Sequence, residues 1–502
     1  MSTGALAALA ERAFKWSAAT TLARFGLQLG AQVALARLLG PENFGVYGIG
    51  MVVMTFVGFL SGSSFSWNLL LQPTITREDI RFSFTWQMIV GLLAAWAMYA
   101  GAPALATFFS EPAVESMVQW LALAALLSAA TAPAAYLLQR DMNFRALGLI
   151  GLASYAAGYL VVGVLMALNG YGALSLAAAC IVQAGVGLVL TFAARPHSLR
   201  PLLTHPGGGS AMRTGRAVFY TNVVNWLLSN IDRVMIGRVL NAQAVGLYTV
   251  AYNLASIPNV LLVGTLQPAF LATGAKLQHD LPRLGQAWLM GVACILVLAT
   301  PAAVVAALLA SDLVGLLYGA AWMDSAWVLA VLLLCLPAWA CWGMSTPVLW
   351  NTGRKHLEAV LQFPVLLAAV PAWWFFAQGG IRAVAMVSVV VLLVRAIVII
   401  AAALRALDLR WSVLLPSLLR GLALAAVAGA AVRLGQHAAS GLIFPGASLG
   451  AGAVAALAAL LLLVGLRPRV LGNEANSALV RLIPALSQRH APAAAAAGGG
   501  VP

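Results

Sequence analysis

Arg24, Gln28 and Gln32 recur at every fourth position near the start of the chain. On a helix that spacing places a guanidinium and two amides along one face. A guanidinium binds phosphate oxygens through a planar fork, and amides both donate to and accept from sugar hydroxyls. A second polar cluster interrupts an apolar stretch at 216–258, where Asn222, Asn225, Asn230, Asp232 and Arg233 replace the Leu and Val of a plain membrane anchor. These residue types suit the binding of an anion that also carries hydroxyls. The usual signs of bond-breaking chemistry are missing. No G-x-x-x-x-G-K-[ST] loop precedes any of the three lysines, no D-x-D occurs, and the six histidines are scattered without metal-ligand spacing. Cys180, Cys294, Cys335 and Cys341 lie in apolar runs and read as buried free thiols, without a disulfide framework or zinc spacing. The expectation is a binding and transport protein, not an enzyme, with no metal and no cofactor.

The elements that hold these residues follow from composition. Of 502 residues, 62% are hydrophobic and 8% charged, against about 25% charged in soluble domains. Apolar runs of about 20 residues, enough to cross a hydrocarbon core of about 30 Å, recur along nearly the whole chain. Fourteen spans are expected, at about 13–38, 44–71, 82–109, 114–138, 147–168, 171–194, 216–240, 246–273, 284–310, 326–350, 357–377, 382–404, 412–434 and 443–466. The net charge of +14 is then a matter of topology, not of nucleic-acid binding. Twenty of the 28 lysines and arginines, from Arg12 and Lys15 to Arg481 and Arg489, fall in alternate loops or the tail, while Arg37, Arg238, Arg382 and Arg433 mark the other side. The positive-inside rule places both termini in the cytoplasm.

Four cations remain inside expected spans: Arg24, Arg233, Arg395 and Arg420. Arg24 is about 12 residues into its span, or ~18 Å deep at 1.5 Å per residue. A charge there costs about 2.5–3.5 kcal/mol on insertion scales, so it is expected to face protein or water. Arg420 is close enough to a span end to snorkel. Asp232 is the one acid placed deep in a span, and hence the candidate for ion coupling. Two readings stand. The charges pair with each other and with loop acids such as Glu42 to fix packing, or they form a cationic lumen between two halves. In the second reading Arg24 and Arg233 bind the anion, and Gln28, Gln32, Asn222, Asn225 and Asn230 supply neutral hydrogen bonds.

The halves come from an internal repeat. Shifting the N-terminal region by 201 positions lays Arg12 on Arg213, Thr20 on Thr221, Val33 on Val234, Arg37 on Arg238, Gly45 on Gly246 and Tyr47 on Tyr248. The expected organisation is a six-helix lobe at 1–194, a Pro- and Gly-rich cytoplasmic linker at 195–215, and a second six-helix lobe at 216–404. Two additional spans follow at 405–466, and a low-complexity cytoplasmic tail at 467–502. An even span number per half makes the repeats parallel, about an axis along the membrane normal. Gly26/Gly30 and Gly58/Gly62 have the spacing of close helix contacts.

Three stretches carry a family resemblance: ARLLGPENFGVYG at 36–48, LLQRDMNFRALGLI at 137–150 and NIDRVMIGRVLNAQAVGLYTVAYNLASIP at 230–258. They resemble the polysaccharide-export branch, the oligosaccharide flippases, of the multidrug/oligosaccharidyl-lipid/polysaccharide exporter superfamily. The resemblance implies an all-α polytopic fold whose two six-helix lobes form a V-shaped cavity, with two extra C-terminal helices. It implies movement of undecaprenyl-diphosphate-linked oligosaccharides across the bacterial cytoplasmic membrane by alternating access. Glycan polymerase and glycosyltransferase partners go with such a role; nucleic acid does not. The family's cationic cavity carries over to Arg24 and Arg233, and less directly to Arg37 and Arg238. The second copy departs from the first, with Asn241 for Gly40 and Asn225 for Arg24, so the diphosphate is expected to rest mainly on the first lobe. A cation-coupled drug exporter of the same superfamily and an integral membrane glycosyltransferase or polymerase are the alternatives.

Overall fold

The computed structural model describes residues 3–61, 66, 69, 72, 74–205, 226–227, 229–354, 356–441, 446–466 and 472. Every regular element among them is a helix. The first, α1 (Thr3–Ser61), breaks at Gly40, whose φ of 73° and ψ of 172° leave helical space. Glycine takes that left-handed φ without strain, and Pro41 then restarts the helix with its preset φ. The expected loop between spans one and two is therefore a break at Gly40–Pro41.

Next come α2 (Arg77–Phe109) and α3 (Ala113–Arg140). The start of α2 is fixed by a capping box in which Thr76 and Asp79 satisfy each other's backbone N–H groups. It ends at Ser110, a left-handed C-cap. Then α4 (Phe144–Tyr155) passes through a π-helical stretch, Ala156–Gly163, into α5 (Val164–Leu168), and α6 (Leu174–Ala194) follows. After a helical stretch at 229–239 come α7 (Ala242–Lys276), α8 (Leu281–Leu308) and α9 (Ala310–Leu317). The last six are α10 (Asp324–Leu334), α11 (Leu336–Asn351), α12 (His356–Ala377), α13 (Gly380–Ala406), α14 (Leu415–Ala438) and α15 (Ala447–Leu466).

Ten helices among the described residues are long and apolar enough to cross a membrane, and α10 with α11, bent by 46°, makes an eleventh. The bend follows from Pro337 in the first turn of α11: proline offers no N–H and its ring crowds the preceding turn. The other three expected spans fall on the two parts of α1 and on 216–240, of which 216–225 lies outside the described residues.

The chain forms two compact units. One joins Met1–Val250 with Leu317–Asp324 and Ala368–Val384; the other holds Ala251–Leu316, Ser325–Leu367 and Ala385–Pro502. Within the first, α3 packs on α1, α2 and α6, and α1 packs on α4. Within the second, α8 packs on α11 and α14, and α14 on α15. The second unit's apolar core includes Trp288, Val292, Met344, Val348 and Ile399, with Trp288 Nε1 donating to Ser345 Oγ at 3.3 Å.

Arg395 is buried in this unit, at 6% exposure. Its Nε and Nη2 donate to Gln362 Oε1 at 3.0 and 2.8 Å, and the guanidinium stacks 4.3 Å over the Trp342 ring. This intramembrane arginine is a packing element. An amide oxygen and an aromatic face offset its desolvation.

In the first unit the two copies of the repeat meet reciprocally. The backbone of Gly45 lies against the carbonyl oxygen of Ala242, and that of Gly246 against the carbonyl oxygen of Pro41. Positions 41 and 242 are equivalent under the 201-residue shift, as are 45 and 246, so each copy presents the same glycine to the same place on the other. A side chain at either glycine collides with main chain. Gly26, Gly30 and Gly58, which the spacing marked for close contact, face open space, with nothing within 4 Å of an added Cβ; Gly62 lies outside the described residues.

The start of the linker is also tied down, although its prolines suggest a loose segment. Leu202 N donates to Thr85 Oγ1 at 2.9 Å, Trp86 Nε1 to Leu203 O at 3.1 Å, and Arg81 Nε to Arg200 O at 3.1 Å. His205 Nε2 lies 2.8 Å from Asp79 Oδ1. Polar side chains near the start of α2 thus satisfy part of the irregular backbone at 200–203. Residues 206–225 lie outside the described residues.

Candidate functional site

Glycines set the geometry around Arg24. On α4, Gly148 is pressed against the Thr20 side chain of α1, leaving no room for a Cβ. One turn further along both helices, a Cβ on Gly151 would stand 3.6 Å from Arg24 Nη1. The crossing therefore holds the Arg24 guanidinium over the α4 backbone. The same helix meets α6 through Gly158, which lies on the Ala179 carbonyl and whose Cβ would come within 2.9 Å of Gln183 Cβ. The π-helical widening at Ala156–Gly163 accompanies this close approach, as such bulges often do at functional positions.

Between these helices and α3 lies a cavity of about 500 Å³. Its polar wall is Arg24, Ser128, Thr131, Ser154, Tyr159, Gln183 and Thr191, and its apolar wall includes Met51, Met54 and Ile150. Arg24 is exposed and also lines an adjoining space of about 170 Å³ with Thr20, Thr21 and Phe144. Arg24 makes no hydrogen bond or ion pair among the described residues, and no carboxylate lines either space. Tyr159 stacks on Tyr155 with centroids 4.6 Å apart, and its hydroxyl shares a 2.5 Å hydrogen bond with that of Tyr47. Ser128 and Thr131 donate to Ala124 O and Leu127 O, both at 2.8 Å. Their oxygens are left as acceptors toward the cavity.

The remaining expected site residues lie elsewhere. Gln28 and Gln32 continue the Arg24 row on α1, half-buried. They are absent from the cavity lining, and Gln32 Nε2 is buried without a hydrogen-bond partner. Arg233 and Asp232 belong to a separate polar knot. Tyr248 Oη donates to Asp232 Oδ2 at 2.7 Å, the Arg233 N–H to Asp232 Oδ1 at 2.8 Å, and Arg233 Nη1 to Asn230 Oδ1 at 3.1 Å. Asp232 is 6% exposed and Tyr248 fully buried. Arg233 does not line the Arg24 cavity. Asn222 and Asn225 lie outside the described residues.

Arg37 and Arg238 hold helix ends. Arg37 Nε donates to Leu317 O, the last residue of α9, at 2.6 Å. Arg238 Nη1 donates to Ser110 Oγ, the C-cap of α2, at 3.4 Å and lies 5.5 Å over the Phe108 ring. A guanidinium at a helix C-terminus is favoured by the partial negative charge there. The sequence reading missed Tyr159, Gln183 and Ser154, because one hydroxyl or amide in an apolar helix looks ordinary. The available signal was the glycine spacing at 148, 151 and 158 facing 183 and 187.

Apolar membrane-length helices make this a polytopic membrane protein, and one of its units holds a cavity of mixed polar and apolar lining without a carboxylate. The lipid II flippase MurJ in an inward closed conformation superposes with a TM-score of 0.70 at 13% identity, over 89% of this chain and 98% of that one. An inward-facing multidrug resistance MATE transporter gives 0.63 at 14%, over 77% and 94%. The model of the family described as "Polysaccharide biosynthesis protein" matches residues 34–327, and the chain belongs to that family. It is 28% identical over 370 residues to the succinoglycan biosynthesis transport protein ExoT of Rhizobium meliloti, covering 74% of this chain and 71% of that protein. Identity to the lipopolysaccharide biosynthesis protein WzxC of Escherichia coli is 23% over 322 residues, covering 61% and 63%.

Proposed function

We propose that this chain is a flippase that carries undecaprenyl-diphosphate-linked oligosaccharide units from the inner to the outer leaflet of the bacterial cytoplasmic membrane. The observation that carries the reading is Arg24, a guanidinium expected near mid-membrane, on a cavity of mixed polar and apolar lining without a carboxylate. It sits in a fold shared with a lipid II flippase, in a chain whose relative ExoT is named a transport protein of succinoglycan biosynthesis. Arg24 takes the diphosphate. The polyprenyl tail stays in lipid, and alternating access of two lobes, 1–194 and 216–404, moves the headgroup. Arg37 and Arg238, each on a helix end, join the two copies of the repeat at the ends away from the basic loops, and their contacts are the ones an outward opening has to break. Both termini lie in the cytoplasm, where glycosyltransferase partners deliver the substrate, and polymerase partners use it on the outer face. Asp232, paired with Tyr248, is the candidate for ion coupling. A cation-coupled drug exporter has less support, since the cavity offers a cationic substrate no acid.

The test is Arg24→Ala in the native host. Arg24 is exposed and without a hydrogen-bond partner among the described residues, so its loss costs within about 0.5 kcal/mol of stability, and membrane abundance stays at the wild-type level. Hydrogen bonds to a charged group are worth about 1.5–3 kcal/mol, or roughly 10- to 150-fold in headgroup affinity at 1.4 kcal/mol per decade. Surface or secreted polysaccharide falls accordingly, and lipid-linked units accumulate on the inner leaflet. Undiminished export from Arg24→Ala removes the anion-binding role.

A further inference from the structure

We propose that Leu317–Asp324, the segment between α9 and α10, is a latch that keeps the side away from the basic loops closed. Trp322 holds it, and Tyr318 keeps it releasable. The proposal deepens the flippase reading above and rests on its alternating access.

Placement in the chain makes the first argument. The residues on either side, Ala251–Leu316 and Ser325–Leu367, belong to the second unit, whereas Leu317–Asp324 belongs to the first. The expected lobe at 216–404 therefore hands a short segment to the body built around α1. The grip on that segment straddles the break in α1 at Gly40. Ahead of the break, Arg37 Nε donates to Leu317 O at 2.6 Å. Beyond it, the Phe44 ring meets Trp322 edge-on, with centroids 5.8 Å apart and planes at 84°. Trp322 is 1% exposed and also lies 5.7 Å from the Tyr318 ring. Large aromatic side chains carry much burial energy and edge-on pairs add to it, so Trp322 is the anchor.

Construction of the segment makes the second. Gly319, at a φ of 90°, turns the chain out of α9, a conformation glycine takes without strain. The 3₁₀ turn Ala320–Trp322 follows. Trp322 N donates to Gly319 O and Met323 N to Ala320 O, both at 3.2 Å. These bonds lie within the segment, so it can move as one piece without giving them up. Tyr318 supplies the opposing tendency. It is 3% exposed, yet its Oη is buried without a hydrogen-bond partner among the described residues. A buried hydroxyl left unpaired costs its desolvation, and release into water recovers it. The rings hold the latch shut while this hydroxyl keeps the closed state shallow.

A row of rings ties the latch to transport. Phe44 meets Tyr47 at 6.2 Å, and the Tyr47 and Tyr159 hydroxyls share a hydrogen bond. Packed side chains thus run from Trp322 to the wall of the Arg24 cavity. Contact along a row becomes coupling only when a change at one end alters the working of the whole, so the test reads transport as well as local opening.

Tyr318→Phe and Trp322→Ala are compared with wild type. Amide hydrogen exchange on the purified full-length protein reports opening of 317–324 and 38–48, and the native host reports export beside membrane abundance. Tyr318→Phe removes only the unpaired hydroxyl. It should slow exchange over 317–324 about tenfold, keep abundance and lower export. Trp322→Ala should speed exchange over both stretches by about tenfold or more. A strap with no part in transport gives a different result for Tyr318→Phe, a protein that opens less and exports as well as wild type. Unslowed exchange or undiminished export in Tyr318→Phe, or unaltered exchange in Trp322→Ala, overturns the latch and leaves the flippase reading standing. A host that has lost the gene and still exports polysaccharide, with no lipid-linked units retained, overturns the flippase reading and the latch with it.

Discussion

The reciprocal contact at Gly45 and Gly246 yields a quantitative prediction. Replacing glycine by alanine inside a helix normally stabilises it by about 0.8–1 kcal/mol, through a smaller backbone entropy loss. Gly26→Ala and Gly30→Ala in α1 should show that gain, because nothing lies within 4 Å of the added Cβ. At Gly246 the same methyl lands on the Pro41 carbonyl, and at Gly45 on that of Ala242. Main chain cannot rotate away as a side chain can, so the cost lies at or above the upper end of the overpacking range, about 3 kcal/mol. Net of the propensity gain, each variant loses about 2 kcal/mol. Since both glycines guard one crossing, the double variant loses less than the sum, the first methyl having already parted the helices. Apparent melting temperatures in detergent, read beside membrane abundance, decide the matter. If Gly246→Ala melts with or above wild type, as Gly26→Ala should, the crossing is not as close as described and the repeats do not meet there.

Three further outcomes follow from the structure. Gln362→Leu deprives buried Arg395 of the oxygen that accepts two of its hydrogen bonds and should cost about 1.5–3 kcal/mol; the double variant Gln362→Leu/Arg395→Met recovers much of it in the same melting assay, because no charge is then left buried. Asp232→Asn keeps an acceptor for Tyr248 and so keeps abundance, and export driven by an ion gradient should fail; undiminished export in energised cells ends the coupling role. His197, outside the spans, packs between Phe84 and Phe192 at centroid distances of 5.1 and 5.3 Å with its Nε2 buried and unpartnered. Burial, with Arg195 nearby, holds its pKa below the ordinary value even though the Ser198 carbonyl acts the other way. The neutral ring is therefore the folded form: the 195–205 segment keeps its full stability above pH ~6.5 and loses it as the pH falls from there through the lowered pKa. Hydrogen-exchange protection in that segment, taken relative to the intrinsic rate at each pH, should fall below pH ~6.5 in wild type and not in His197→Phe.

The sequence by itself determined what depends on solvent preference and local geometry. Helices long enough to cross a bilayer follow from apolar runs, because lipid leaves the backbone no other way to satisfy its polar groups. The boundary between the first two spans, at about 38–44, was legible from the apolar runs, and only the structure showed it to be a break at Gly40–Pro41 and not a loop. The repeat was legible too, from residues 201 positions apart. What the sequence withheld depends on which faces meet. Arg24, Gln28 and Gln32 share a helix face, yet only Arg24 reaches the cavity, because α1 crosses α4 at Thr20 and Gly148. Arg233 has the same chemistry as Arg24 and is engaged by Asn230 and the Asp232 knot. Arg37 and Arg238 found helix ends far away in the chain. Spacing fixes direction around one helix axis, whereas a pocket forms where several axes cross, and those crossings are set by where glycine lets two backbones touch.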